Sequence, residues 1–315
     1  MLQEILRELH TIINRFPQKD ELFLNKKKIV LDSKNFENIS ALSEKKKIAF
    51  VDGGQAEILS SGNFCLSFIR VGVLIYSNNK KISEYKHEFY LLTTAKYKDD
   101  EMVFESIIFP LNGEKLIDEQ ALYLSADATI KKSTDRIPIA EIANIARRFA
   151  ELALAAKTAA SAEIIILDGT LDCSYPNEEK YLSKLPANAC ALAKSSSLFT
   201  VSGNSPMILL QKLGPINCWS YGLDEQNYFV KLHEKAKHVF RFTGNKDFLP
   251  ALVENSKDAI FLGYPYGLIA ADKFARVSNE EKKSLRMNLL LRAESAKIVE
   301  YLSTTNAHDI LDNLG

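Results

Sequence analysis

Apolar residues recur every three or four positions at the start of the chain, at Leu2, Ile5, Leu6, Leu9, Ile12, Ile13 and Phe16. That spacing lines one face of a helix. The pattern then changes. Ile48-Ala49-Phe50-Val51 is an unbroken apolar run ending in Asp52-Gly53-Gly54. Residues 64–76 and 82–92 are two β-rich runs separated by the turn sequence Ser77-Asn78-Asn79-Lys80. Together these segments predict an antiparallel three-strand meander. Residues 93–136 are mixed and charged and read as loops with a short helix. Pro138 opens a long helix running to about Ala160, with Thr134 or Asp135 near its start and Ile139, Ile142, Ala146, Phe149 and Ala153 as its apolar stripe. Residues 163–167 follow as an apolar strand closed by Asp168-Gly169-Thr170, the run expected of a strand covered on both faces. Residues 171–187 read as loop and short helix, 189–193 as a strand ending at Lys194, and 227–262 as further β-like segments. Ser278-Asn279-Glu280-Glu281 is a capping-box start for a last helix reaching about Leu302. The order β-β-β-α-β-α, then extra strands and a C-terminal helix, predicts a mixed α/β sheet with helices packed on it.

Composition narrows the class. The 315 residues carry 40 Lys+Arg and 40 Asp+Glu, so the net charge is zero, which excludes a strongly basic nucleic-acid arm but allows a local basic groove. With 46% apolar residues the chain can bury a core, which excludes a disordered or collagen-like chain. Length alone suggests two domains or one elaborated domain. The longest apolar candidate, 259–271, is too short for a membrane span and holds two glycines and a proline. The N-terminus lacks the basic start and continuous apolar run of a signal peptide. Cys65, Cys173, Cys190 and Cys218 are far apart with no C-x-x-C pair, so neither a disulfide framework nor a structural zinc site is expected, and a reducing cytoplasm fits. The lysine triplets 26–28 and 45–47 abut apolar runs and read as solvated strand flanks.

Two strands end alike, in Asp52-Gly53-Gly54 and Asp168-Gly169-Thr170. An acid at the carboxyl end of a buried strand faces the crevice where α/β sheets bind ligands, and the following glycine permits close approach. If the strands are neighbours, the carboxylates converge and repel unless a cation relieves them. Mg²⁺ or Mn²⁺ suits such oxygen ligands, and two ions can serve an in-line phosphodiester displacement. Asp-Gly is also plain turn punctuation, and both readings stand at this point. There is no P-loop and no G-x-S-x-G elbow. His233-Glu234 followed by His238 has the wrong spacing for H-E-x-x-H. The stretch 231–246 interleaves Lys231, His233, Lys235, Lys237, His238, Arg241 and Lys246 with Phe240 and Phe242. It reads as strands alternating solvated charge with buried apolar residues, or as a phosphate-tracking groove. Glu151 lies off the apolar stripe and four residues after Arg147, the spacing of a surface ion pair.

The segments Val51-Asp52-Gly53-Gly54, Leu167-Asp168-Gly169-Thr170, Ala191-Leu192-Ala193-Lys194-Ser195 and the run from Tyr264-Pro265-Tyr266-Gly267 to Asp272, taken in order, resemble the NurA family of DNA-end-processing nucleases. The resemblance covers about residues 48–300. It implies a ribonuclease H-like fold with family-specific insertions, a homodimer, and dependence on one or two divalent ions, Mn²⁺ or Mg²⁺. It also implies 5′–3′ exonuclease and single-strand endonuclease activity on DNA, and a HerA-type hexameric ATPase as partner in double-strand-break end resection. The chain then divides into 1–47, an amphipathic helix and charged connection, and 48–315, the nuclease domain that the resemblance implies; the helix reads first as packed on its own domain, with dimer or partner contact as the alternative. The resemblance makes Asp52, Glu151, Asp168 and Asp272 metal ligands, places Lys194 on the scissile phosphate, and gives Tyr264 and Tyr266 to the DNA strand. Two positions depart from the family pattern. Gly54 replaces a serine, and Asp272 stands where histidine is frequent; aspartate can ligate metal but offers no imidazole acid or base. These departures keep a second reading open, a catalytically degenerate docking subunit on a DNA-translocating ATPase ring. A third, an actin-like or sugar-kinase ATPase, needs two such domains, for which 315 residues leave little room.

Overall fold

The computed structural model describes residues 1–14, 17, 19–24, 26–40, 46–111, 113–125, 137–292 and 296–305. Phe16, Lys45, Thr134 and Asp135 of the sequence reading lie outside the described residues. The chain opens with α1 (Leu2–Asn14), the hairpin β1 (Asp20–Leu24) and β2 (Lys27–Leu31), and the short β3 (Phe36–Asn38). Then come β4 (Lys47–Ser61), β5 (Phe64–Ser77), β6 (Lys80–Lys98), β7 (Glu101–Pro110) and β8 (Leu124–Ser125). Helix α2 (Glu141–Lys157), β9 (Ile164–Asp168), α3 (Glu179–Leu182), β10 (Ala189–Ala193) and α4 (Pro206–Leu213) follow. The chain continues with β11 (Trp219–Gly222), β12 (Asn227–Lys231), β13 (Phe240–Thr243), α5 (Leu249–Asn255), α6 (Tyr266–Ala275), α7 (Asn279–Leu290) and α8 (Ala296–Thr305).

Among the described residues eleven strands form one sheet in the order β3-β11-β12-β13-β10-β9-β4-β5-β6-β7-β8. At its centre, β4, β5 and β6 are an antiparallel meander, and β9 pairs parallel to β4 while β10 pairs parallel to β9. Three meander strands followed on the inner edge by two parallel strands, with α2 as the crossover, is a ribonuclease H-like sheet. The remaining strands extend it on both sides.

The parallel strands are apolar throughout because both faces are covered. On one face α2 packs Ile142, Ile145, Ala146, Phe149 and Leu152 against Ala49, Val51, Ile69 and Ile165. On the other, α5 and α6 cover Ile48, Phe50, Ile164, Ile166 and Leu192. A third cluster lies under α4 and the β1–β2 hairpin, and a fourth between the far end of β4–β6 and the C-terminal helices.

The structure corrects several boundaries. The double glycine does not end β4, which continues to Ser61 paired with β5. The predicted loops after residue 92 are instead the end of β6 and all of β7. They are joined through Asp99 and Asp100, both at positive φ (49° and 64°), as in the Asn78–Asn79 turn (53° and 57°). Asp-Asp can adopt this mirror-image hairpin turn without the Asn-Gly signature. Helix α2 is shorter than predicted at both ends, and the last predicted helix is divided into α7 and α8. In the basic stretch, Lys231 and Arg241 are buried rather than solvated. Lys231 donates to the Ile216 carbonyl at 2.9 Å, and Arg241 forms a two-pronged pair with Asp172 at 2.8 and 3.1 Å.

Candidate active site

Val51 pairs with Leu167 across the parallel β4–β9 ladder. Asp52 and Asp168 are therefore the next step along both strands, neighbours about 4.8 Å apart at the backbone. Alternation puts both carboxylates on the face of Phe50 and Ile166, toward α6. The Gly53 N–H donates to Asp52 Oδ1 at 2.7 Å.

Glu151 arrives from the opposite face, on α2. Gly53 makes this possible, since a Cβ there would lie 2.5 Å from Glu151 Oε1 and 2.9 Å from Arg147 Cγ. Glu151 is not the exposed residue its helical position suggests. It is buried, and Arg147 pairs with it along the helix and reaches the Gly53 carbonyl at 3.4 Å.

Asp272 is brought by α6, which lies unusually low on the sheet. A side chain on Gly54 would meet the Ala275 carbonyl at 2.2 Å, one on Gly72 the Phe274 ring at 2.5 Å, and one on Gly267 the Phe50 ring at 2.1 Å. The glycine at 54 thus has a steric cause in this chain, because serine would strike the end of α6. Asp272 pairs with Arg276 one helical turn on.

Lys194, just past β10, donates to Asp168 Oδ2 at 2.5 Å, and the Tyr264 hydroxyl donates to Asp168 Oδ1 at 3.3 Å. The ammonium also sits over the Tyr264 ring, 5.3 Å from its centre. Tyr264 is buried, with its ring against Phe240 and Phe261, so it holds Asp168 rather than offering a face to a base. Tyr266 is half-buried and packs edge-on against Tyr76.

The four carboxylates act on one another. Burial first, then the charges of Glu151 and Asp168, push the Asp52 carboxyl up to about 7, with Asp272 adding and the Gly53 N–H opposing. Burial likewise raises Glu151 despite the opposing charges of Arg147 and Arg148. Burial and the Asp168 charge raise the Tyr264 phenol far above its ordinary value, so it remains a donor. Lys194 is raised, its bond and charge contact with Asp168 outweighing desolvation. Among the described residues no three acidic, histidine or cysteine side chains form a finished metal cage. Glu151, Asp168 and Asp272 each face a basic side chain instead.

The sequence reading passed over a clamp behind the site. Glu178 is fully buried and takes Arg148 Nε at 2.8 Å and the Ser174 and Tyr175 N–H groups at 2.7 and 3.0 Å. Arg148 also donates to the Thr170 carbonyl at 2.6 Å, tying the loop after Asp168 to the helix of Glu151. No local pattern marks Glu178; only the fold joins it to Arg148. Glu178→Ala takes the carboxylate from the Arg148 guanidinium and leaves the Ser174 and Tyr175 amides unpaired, so thermal or urea unfolding should show a loss of about 3–5 kcal/mol.

Residues 46–172 match the NurA domain family. The match includes Asp52, Glu151 and Asp168 and stops before Lys194, Tyr264 and Asp272. The NurA nuclease from Sulfolobus solfataricus shares the fold, with a TM-score of 0.52 at 14% identity over 92% of this chain and 94% of that one. Human ENDOV aligns more loosely (TM-score 0.39, 11% identity, 90% of this chain and 99% of that one). So does Ciona intestinalis endonuclease V, whose structure holds a 24mer DNA (TM-score 0.36, 16% identity, 78% and 89%). No curated protein matches the sequence. Among the described residues no helix is long and apolar enough to cross a membrane.

Proposed function

We propose that this chain is a divalent-metal-dependent DNA nuclease. We further propose 5′–3′ exonuclease and single-strand endonuclease activity in end resection, in the cytoplasm, as a homodimer working with a HerA-type hexameric ATPase. The supporting observation is the meeting of Asp52, Glu151, Asp168 and Asp272, from two strands and two helices, at the carboxyl edge of a ribonuclease H-like sheet. The donor set fits a hard divalent cation: it is all oxygen, and burial together with the charges of Glu151 and Asp168 raises Asp52 far above a free aspartate. Those four residues would hold Mn²⁺ or Mg²⁺, one or two ions. When bound, such ions supply Lewis acidity to the attacking and leaving oxygens of an in-line phosphodiester displacement.

The chain's own residues do the rest. The Tyr264 hydroxyl and the Lys194 ammonium fix the two oxygens of Asp168 in orientation. The Lys194 side chain is half exposed (53%), so it can also neutralise a phosphate entering from solvent. Asp272 carries no imidazole and so offers the leaving group no imidazole acid. The product ends are a 5′-phosphate and a 3′-hydroxyl. Lys194→Met should lower the rate on end-labelled DNA by roughly 10²-fold, the scale of losing one charge-stabilising donor. Unchanged turnover would remove Lys194 from the site.

The test of the reading compares Mn²⁺, Mg²⁺ and EDTA on single- and double-stranded end-labelled DNA, with Asp168→Asn alongside. The three cation-paired carboxylates, and the apolar face of α1 exposed at Leu2, Ile5, Leu6, Leu9 and Ile12, favour the second reading, a docking subunit without chemistry. Metal-dependent cleavage that Asp168→Asn abolishes removes it; no cleavage in any metal, with or without the ATPase, supports it.

A further inference from the structure

The three basic partners of the acid cluster are not equivalent. Lys194 and Arg276 expose 53% and 65% of their side chains, and their partners Asp168 and Asp272 expose 24% and 39%. Arg147 is different. Its stem lies over Gly53, and its guanidinium spans from Glu151, whose side chain is only 5% exposed, to the Gly53 carbonyl beside Asp52. It therefore joins α2 to β4 at the point where the two most buried carboxylates approach. Its neighbour Arg148 is locked by Glu178 and the Thr170 carbonyl. Arg147 keeps 29% of its side chain exposed and so has a way out to solvent.

Resting on the metal-dependent reading above, we propose that Arg147 is a resident counter-ion. In the metal-free chain it holds the Glu151 carboxylate, and it must withdraw before Glu151 can ligate a divalent cation. A buried carboxylate without a partner is costly, and Arg147 removes that cost. The same cation competes with a divalent ion for one carboxylate, so the ion's affinity is reduced by the work of displacing it. Coupling between two bound cations is reciprocal: an ion at Glu151 repels the guanidinium toward solvent, where it becomes available to a phosphate. The arrangement also explains why the four acids converge without a finished cage among the described residues.

Calorimetric titration of Mn²⁺ into the EDTA-stripped full chain tests this, with wild type, R147M, R147K and, as a control outside the site, K157M. R147M should bind Mn²⁺ about tenfold more tightly than wild type, while R147K and K157M stay within about twofold of it. R147M binding no more tightly than wild type overturns the inference. Mn²⁺ bound by R147M but not by wild type supports it in the extreme. If neither binds, the metal-dependent reading itself falls, and this inference with it. Should R147M not fold, the wild-type protein still decides. Phenylglyoxal labelling of Arg147, read by mass spectrometry against Arg148, should rise roughly threefold on adding Mn²⁺. An unchanged Arg147 labelling rate overturns the proposal.

Discussion

Asp52→Asn should abolish DNA cleavage, by at least about 10³-fold, and at the same time make the metal-free protein more stable. Both effects have one cause. Asp52 is buried among three other carboxylates, and its own carboxyl titrates at about 7 rather than near 3.8. Below pH 3.8 the group is neutral in folded and unfolded chains alike and costs nothing. Between that pH and about 7 the unfolded chain has lost the proton while the folded chain keeps it, so stability falls as pH rises. Above 7 the full cost is present, on the order of 2–4 kcal/mol. Asparagine keeps the oxygen that accepts the Gly53 N–H and removes the charge. Scanning calorimetry in EDTA should therefore show a melting temperature raised by a few degrees at pH 8, with the gain shrinking toward pH 4. A variant that loses activity and also melts lower at pH 8 would remove the electrostatic account of Asp52.

Gly267→Ala should be among the most disruptive single-methyl changes in the chain. Helix propensity alone favours alanine by nearly 1 kcal/mol. Contact decides the sign instead. The added carbon would lie 2.1 to 2.4 Å from three carbons of the Phe50 ring, which is fully buried between the sheet and α6 and has nowhere to go. The ring must distort or α6 must rise, at a cost of about 2–4 kcal/mol. Rising takes Asp272 away from Asp52, so cleavage should fall about tenfold or more even at temperatures where the variant stays folded. Gly62→Ala is the control, because no heavy atom lies within 4 Å of its added carbon. Equal melting temperatures for the two variants would show that α6 is not held down by this contact.

The parts of the site that sequence made legible are those set by one strand at a time. Asp52 and Asp168 end apolar runs, and a parallel register one step past Val51 and Leu167 places them side by side. The meander was legible for the same reason, with Asn78 and Asn79 marking the turn between β5 and β6. What crosses between elements was not. Glu151 reads as a surface residue on its own helix and is buried only because Gly53, on another element, leaves it room. Arg241 reads as solvated charge on an alternating strand, yet Asp172, from a distant loop, allows it to be buried. Strand β7 was missed because its turn uses two aspartates in a mirror-image conformation that no short pattern signals. The position of Asp272 was legible only through resemblance, since α6 seats it by three glycine contacts that a linear reading does not connect.

Strand β4 does not stop at its acid. It runs on from Asp52 to Ser61, paired with β5 throughout and backed at its far end by Leu285, Leu289 and Leu302. That is about 30 Å of ribbon standing past the edge where β9 and β10 end. The crevice at the strand ends is thereby walled on one side and becomes a corner. Bending double-stranded DNA by about 40–90° within a site of roughly 20–30 base pairs costs on the order of 1–6 kcal/mol, whereas a single strand turns with little resistance. If DNA is the substrate, the corner favours a flexible strand over a stiff duplex before any side chain meets a base.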